Sequence, residues 1–600
     1  MAESYFDTDD ITKEYDRFIV GRILSYLKPY KHLVIITLSA LAVSTFGELT
    51  IPLLLQRIID DGILTKDISF LTKGCILYFI LLIFVFGFTF LQTWTANLMT
   101  QYVMKDMRLG LFKKTVSQAT GYLSRHPVGR IVTRLTSDVQ TMDEFFTTVL
   151  VAFLKDIAIM IGTLVAMFLL SPKMASVVLV TLPPVLVVTL ISRIKARDAF
   201  RRQRTASSKV YAYLAERLAG MQVVQLFRQE KKSSKEFNES NQELLNANLG
   251  EMYVFATFRP MVEWFSTLTM AIAIVVGSKM ALSLTLSLGT LIAFISLVQM
   301  FFQPVTDIAE KYTLLQSAMA GGEKVFNLMD TNEQIPDKGI YSNNFTQGAQ
   351  RKEGDAENVQ GHIEFDNVKF AYKQGEEVLK GLSFSVKPGE MAAIVGYTGA
   401  GKTTIINVLT RLWDINEGEI RLDGIPINEI SLEHLRRCIM PVTQDVTLFS
   451  GTIEDNISLG LNLSQEEIIE AAKTVHAHDF IVNLPQGYKT TLSERASNIS
   501  TGQRQLISFA RVIAHNPRVV ILDEATSSID TETERLIQLG IKKVLAGRTS
   551  FVIAHRLSTI RDADRIFVLS NGRLVQEGSH ETLVSKEGLY SGLYRLQYED

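Results

Sequence analysis

Six apolar runs crowd the first half of this 600-residue chain, near residues 32–59, 70–96, 147–171, 174–194, 252–279 and 283–306. Each is close to or above the roughly 20 residues that cross a hydrocarbon layer as a helix, so a polytopic α-helical domain is expected. The connections are uneven. Those after the first, third and fifth runs are short and poor in cations, with Asp60, Asp61, Lys66 and Asp67 in one and Lys173 in another. Those after the second and fourth are long, and hold Lys105, Arg108, Lys113, Arg125, Arg130 and Arg134, then Arg193, Lys195, Arg197, Arg201, Arg202 and Arg204. Cations retained on the cytoplasmic side put the long connections and both termini inside. Met104 to Phe146 and Ala196 to Gly250 contain few prolines or glycines, which predicts that the membrane helices continue beyond the bilayer. From Thr331 to Gln360 apolar residues thin out, as in an exposed linker. Polar and apolar positions then alternate from His362 to Tyr372 as on a half-buried strand. The expected division is a membrane domain over 1–330, a linker over 331–360 and a soluble α/β domain over 361–600.

Composition adds little to that picture. A net charge of −2 gives no nucleic-acid signature, and no nucleic acid is expected as a partner. Two cysteines, Cys75 and Cys438, offer neither a disulfide framework nor a thiolate metal site. The acidic start, Met1 to Asp7, lacks the basic and apolar pattern of a cleaved signal peptide. Charges inside the apolar runs are more informative, because a charge at membrane depth is costly and faces a cavity or a partner. Arg259 and Glu263 are four apart and can pair internally on one helix face. Lys155 and Asp156 open the third run. Glu48 has no partner near in sequence, which leaves it either lining a substrate cavity or pairing with another helix.

The second half carries the chemistry. Gly396-Tyr397-Thr398-Gly399-Ala400-Gly401-Lys402-Thr403 follows an apolar strand, Met391 to Val395, and precedes a helical pattern beginning at Thr404. In that setting glycines let backbone N–H groups wrap phosphates at a helix N-terminus, Lys402 supplies a cation, and Thr403 offers a hydroxyl to Mg²⁺. ATP with Mg²⁺ is the expected cofactor pair. A second apolar run, Arg518 to Leu522, ends in Asp523 and Glu524, as a buried parallel strand delivering carboxylates at its C-terminal edge. Asp523 is placed to hold Mg²⁺ and Glu524 to act as general base on water.

Between these motifs lies Ile499-Ser500-Thr501-Gly502-Gln503-Arg504-Gln505, which resembles the signature motif of the ATP-binding cassette (ABC) superfamily with Thr501 where glycine is usual. The resemblance covers nearly the whole chain, and six spans followed by one cassette are similar to a half-exporter. It implies roles position by position. Tyr372 resembles the aromatic that stacks on adenine, and Gln444 the glutamine that senses Mg²⁺ and contacts the membrane domain. His555 is similar to the switch histidine at the γ-phosphate, and Asp530 to an acid at the cassette interface. Gly396, Thr398, Gly399, Ala400, Gly401, Lys402, Thr403 and Thr404 would hold nucleotide, with Thr403, Gln444 and Asp523 at the metal and Glu524, His555 and Gln444 in catalysis. Residues 122–139 and 216–227 resemble the two intracellular coupling segments.

In that family two cassettes face head to tail, so Ser500, Gly502 and Gln503 would act on a partner's nucleotide. The resemblance therefore implies a second half-transporter chain, a lipid bilayer and a hydrophobic small-molecule or lipid substrate. Thr501, together with Leu492-Ser493-Glu494-Arg495-Ala496-Ser497 in place of the usual Gly-Glu-Arg-Gly, resembles the glutamate-bearing subunit of bacterial heterodimeric multidrug exporters. The expectation is ATP-driven export by alternating access from the bacterial inner membrane, with the ATPase domain cytoplasmic. The alternatives are a lipid flippase or a homodimeric exporter, and more remotely a nucleotide-gated channel or a regulatory ATPase.

Overall fold

A backbone inside hydrocarbon has no water to bond, so each crossing segment must satisfy its own N–H and C=O groups as a continuous helix. The computed structural model, which describes residues 17–339, 359–373, 375–493, 496–523, 531–553 and 557–598, meets that demand over its first part. A short α1 (Arg17–Ser25) leads into α2 (Lys31–Arg57) and α3 (Ile68–Val116). Three short helices follow, α4 (Thr120–Arg125), α5 (Val128–Leu135) and α6 (Ser137–Glu144), before α7 (Val151–Leu170) and α8 (Pro172–Ala219). The small α9 (Met221–Leu226), α10 (Glu230–Leu282) and α11 (Leu288–Asp330) complete the set. Among the described residues six helical stretches are long and apolar enough to cross a membrane. The longest, α10, has 53 residues. At 1.5 Å per residue it extends about 80 Å, against a hydrocarbon layer of roughly 30 Å, so helical connections of the expected kind carry well past the bilayer.

The last span differs from expectation. Residues 283–287 do not belong to the helix. Leu284 takes a left-handed φ of 58°, and α11 starts only at Leu288, where Ser287 Oγ accepts from the Thr290 N–H at 3.1 Å. The Asp60 carboxylate, from the end of the first span, accepts from the Gly289 N–H at 2.8 Å. Two caps thus satisfy orphan donors and favour the negative charge at the positive end of the helix dipole. Gly289 is needed there, because a Cβ would lie 2.4 Å from the Gln56 carbonyl oxygen.

The intramembrane charges find partners on other helices. Glu48 on α2 accepts from Lys155 Nζ on α7 at 2.7 Å, and Asp156 pairs with Lys311 on α11. Adjacent residues on a helix point about 100° apart, so Lys155 and Asp156 tie α7 to two different neighbours. Arg259 and Glu263 do pair along α10 at 3.7 Å, but their side chains are 70% and 67% exposed. That pair is not internal to this unit, since a four-residue spacing fixes the shared face and not what the face meets.

Internal packing divides the chain into Met1–Val116 with Val128–Thr331, and Ser117–Pro127 with Asn332–Asp600. In the second unit one sheet runs in the order β2 (Glu377–Val386), β1 (Ile363–Ala371), β4 (Glu417–Leu422), β5 (Ile425–Pro426). The other runs β12 (Arg573–Gly578), β11 (Arg565–Ser570), β3 (Met391–Val395), β10 (Thr549–Ile553), β9 (Val519–Asp523), β6 (Ile439–Val442). A two-residue pair, β7 (Gly451–Thr452) with β8 (Thr491–Leu492), stands apart. Strands β11, β3, β10, β9 and β6 are mutually parallel, and β3, β9 and β10 are almost wholly buried. That burial explains the apolar runs Met391–Val395, Val519–Leu522 and Phe551–Ile553, which show no alternation. The buried Cys438 thiol is pushed up to about 12 by desolvation and is therefore unreactive.

The Asp156–Lys311 bridge makes a direct prediction. Both side chains are nearly enclosed, so Lys311→Met strands a buried carboxylate and should destabilise the protein by about 3 kcal/mol, whereas Lys311→Met with Asp156→Leu should recover most of that loss. Thermal unfolding in detergent reads the difference.

Candidate functional site

The parallel strands deliver their C-terminal ends to one edge in register. Ile394 of β3 pairs with Ile553 of β10, Ile553 with Asp523 of β9, and Leu522 with Val442 of β6. Loops leaving such an edge form the crevice where open α/β sheets bind ligands. The Gly396–Lys402 loop leaves β3, Asp523 ends β9, and the exposed Gln444 follows β6. Glu524 comes one position after β9 in the sequence and His555 two after β10; both lie outside the described residues, as does Asp530.

The loop's glycines have distinct reasons. A Cβ at Gly396 would stand 2.4 Å from the Leu569 carbonyl oxygen on β11, so the loop can sit against its neighbouring strand only without a side chain. Gly401 closes the loop in a left-handed conformation, φ 103°, directly before α12 (Lys402–Leu409). At Gly399, φ 83°, a Cβ would meet nothing, so the side of the loop it faces is open. Thr398 and Ala400 complete the turn, with Ala400 buried beneath it. Lys402 reaches back across the mouth, its Nζ donating to the carbonyls of Gly396 at 2.6 Å and Tyr397 at 3.1 Å. Burial lowers its pKa, and the field of Asp523 opposes that shift. The cation of one motif and the carboxylate of the other thus share one electrostatic neighbourhood.

Those residues fit a nucleoside triphosphate: backbone donors at a helix N-terminus, a half-buried ammonium, and room at Gly399. They also fit Mg²⁺, which takes one or two protein ligands beside phosphate oxygens. Thr403 is exposed at the start of α12 and Asp523 is half-buried at the end of β9. Thr404 is buried, its Oγ1 accepting from the Tyr372 hydroxyl at 3.2 Å, and Asn407 Nδ2 donates to that same hydroxyl at 2.9 Å. Tyr372 is thereby fastened to the helix that follows the phosphate loop, its ring edge-on to Trp413 at 4.9 Å.

Trp413 went unnoticed in the sequence. It packs against Gly121 of α4, where a Cβ would lie 2.8 Å from the indole. Around it the Ala119 N–H donates to the Glu333 carbonyl at 2.6 Å, the Gln118 side chain accepts from the Glu333 N–H at 3.0 Å, and Arg125 pairs with the Glu333 carboxylate. A large aromatic in the polar loop after α12 was the available signal. Ser117–Pro127, part of the first expected coupling segment, is thus built into the same packing unit as the phosphate loop.

Ser500, Gly502 and Gln503 belong to a different feature. Ser500 caps the helix Thr501–His515, accepting from the Gln503 N–H at 3.2 Å while Gln503 Oε1 accepts from the Ser500 N–H at 3.0 Å. This reciprocal capping box is encoded by the Ser-x-x-Gln spacing, a signal the sequence reading passed over. Gly502 is buried in the first turn and Thr501 is exposed, its Oγ1 accepting from Arg504 Nη2 at 2.9 Å.

A six-span helical unit and a phosphate-loop unit in one polypeptide define an ATP-driven membrane transporter. Residues 34–305 match the ABC transporter transmembrane region and residues 379–527 the ABC transporter family. The chain is 36% identical to the uncharacterised ABC transporter ATP-binding protein YknV of Bacillus subtilis, covering 100% of this chain and 98% of that one. It is 36% identical to a probable multidrug resistance ABC transporter ATP-binding/permease protein, YheH, of the same organism, over 87% of this chain and 76% of the other. It is 31% identical to an ATP-dependent lipid A-core flippase of Syntrophus aciditrophicus, over 97% and 95%. The chain belongs to the ABC transporters of exporter type, multi-pass membrane proteins that bind ATP and couple its hydrolysis to transport.

The lowered pKa of Lys402 predicts a pH dependence. Phosphates favour the protonated lysine, so binding takes up a proton once the free site has begun to lose its own, and affinity should fall with rising pH, starting below the 10.5 of an ordinary lysine. Calorimetric titration with ATP in magnesium should show this alkaline loss in the parent protein, and Lys402→Arg should abolish the dependence while weakening affinity at neutral pH.

Proposed function

We propose that this chain exports hydrophobic or amphipathic compounds as the glutamate-bearing half of a heterodimeric transporter in a bacterial inner membrane, with its ATPase domain in the cytoplasm. The observation that carries the heterodimer is Thr501. Its β-branched side chain stands on the exposed first turn of the signature helix, its hydroxyl held by Arg504, where backbone has to approach a phosphate closely. Two copies of this chain would place that obstacle in both ATP sites. A partner with glycine there would relieve the site built on Lys402 and Glu524, leaving Ser500, Gly502 and Gln503 over the slower one.

Each residue then has a task. Backbone donors from Gly396 to Thr404 and the Lys402 ammonium bind and neutralise phosphates, and Tyr372 packs at the base. Thr403, Asp523 and Gln444 hold Mg²⁺, which supplies charge neutralisation at the phosphates when bound. Glu524 takes the proton from the attacking water, and His555 positions the terminal phosphate. Closure of the two cassettes moves Ser117–Pro127 and, through the long helices, turns the cavity outward; hydrolysis releases the pair.

Two outcomes test this reading. Purified alone, the chain should hydrolyse ATP at least tenfold more slowly than when co-purified with a half-transporter carrying Gly at the Thr501 position; equal rates from a pure homodimer would refute the heterodimer. In inverted vesicles, ATP-dependent uptake of a fluorescent cation or a labelled lipid should disappear in Glu524→Gln, while nucleotide binding persists.

A further inference from the structure

We propose that the Glu48–Lys155 pair is the headgroup site for a zwitterionic amphiphile, one carrying an ammonium and a phosphate, sulfonate or carboxylate close together. The inference rests on the export reading above and names the class of molecule the membrane unit accepts. It starts from a contrast between two ion pairs that share one stretch of α7. Asp156 and Lys311 are closed in, with side chains 10% and 13% exposed. Glu48 and Lys155 are open on one side, at 21% and 25%. The first pair is a staple between α7 and α11. The second presents both of its charges to whatever enters beside it.

The surroundings make this opening a site. Glu48 stands near the middle of the first candidate span, Lys28–Ile63, where an ionisable group is expensive unless it serves a pathway. One turn earlier on the same helix, the Thr45 hydroxyl is buried with no hydrogen-bond partner among the described residues, a donor left to a ligand. Ser44, also on α2, donates its Oγ to Gln92 Oε1 of α3 at 3.3 Å, a further polar contact within the span. The two helices pack against each other nearby, where the Leu49 side chain fills the space that a Cβ at Gly162 of α7 would take, 2.3 Å from Leu49 Cδ1.

Charge conservation selects the ligand. A cation that bonds Glu48 takes it from Lys155 and leaves an uncompensated ammonium in low dielectric; an anion that bonds Lys155 strands Glu48 in the same way. A zwitterion exchanges one ion pair for two. Its ammonium meets Glu48 and its anion meets Lys155, with the Thr45 hydroxyl available to the anion, and no buried charge is left alone. A zwitterionic phospholipid and a zwitterionic drug share that chemistry.

The test uses the ATP-hydrolysing assembly in a nonionic maltoside detergent, where no matrix lipid competes, and reads the concentration giving half-maximal stimulation of ATPase. The probes are phosphatidylethanolamine, a single-chain alkyl sulfobetaine, phosphatidylglycerol, a lipophilic cation and an uncharged glycolipid. The unmodified transporter should prefer the first two by roughly tenfold or more over the singly charged probes. Glu48→Gln should shift the preference to the anion, Lys155→Gln to the cation, and Glu48→Gln with Lys155→Met should erase it while keeping stimulation by the glycolipid. Response to phosphatidylethanolamine without the sulfobetaine supports a lipid as the source, and response to both supports the headgroup chemistry alone. A zwitterion preference that survives the neutral double variant, or equal loss of all probes in both single variants, would overturn the proposal. If the glycolipid fails to stimulate and vesicle uptake is also absent, the export reading itself is wrong.

Discussion

The register of five parallel strands is the constraint on which the nucleotide unit depends. Because β3, β10, β9 and β6 end level with one another, a phosphate loop, an acid and a glutamine far apart in sequence emerge along one edge. The hydrogen-bond ladder costs nothing in specificity, since it is indifferent to side chains. With both faces buried, the register is held by how closely the side chains on each face pack against their neighbours. Gly396 shows how tight the result is: the loop's first residue lies so close to the Leu569 carbonyl that any side chain would part the strand from the loop.

In the membrane unit the governing demand is different. Backbone groups must be satisfied along each helix, and side-chain charges must be satisfied between helices. The first produces uninterrupted helices such as α3, α8 and α10, which outrun the bilayer. The second produces the Lys155–Asp156 step, where neighbouring residues of α7 are drawn to α2 and α11 in turn. At the far end of the first span, Asp60 meets both demands at once by capping α11.

This division explains what could be read from the sequence. Spans, phosphate loop and acidic strand end were legible because each is a local pattern with its own period or spacing. The start of the sixth span was not, since residues 283–287 are as apolar or small as their neighbours and only the cap at Ser287 marks the boundary. Glu48's partner was not legible either, because pairing over 107 residues depends on how helices pack. The open face of Arg259 and Glu263 escaped for the same reason. Trp413 joins Gly121 to Tyr372 across three separate segments, a contact that no local motif encodes. Ser500 and Gln503 were read by their resemblance to a signature, while their simplest physical property, a capping box, was written in the same residues.

The loop Gly396–Lys402 is placed to hold ATP, and Tyr372 and Trp413 pack at the helix that follows it. Trp413 is one of three tryptophans in the chain; the others, Trp94 and Trp264, are on α3 and α10. The most direct measurement is therefore ATP titration of Trp413 fluorescence in the Trp94→Phe, Trp264→Phe background. A saturable change that Lys402→Ala removes is expected. Fluorescence indifferent to ATP in a protein that demonstrably binds it would contradict that placement.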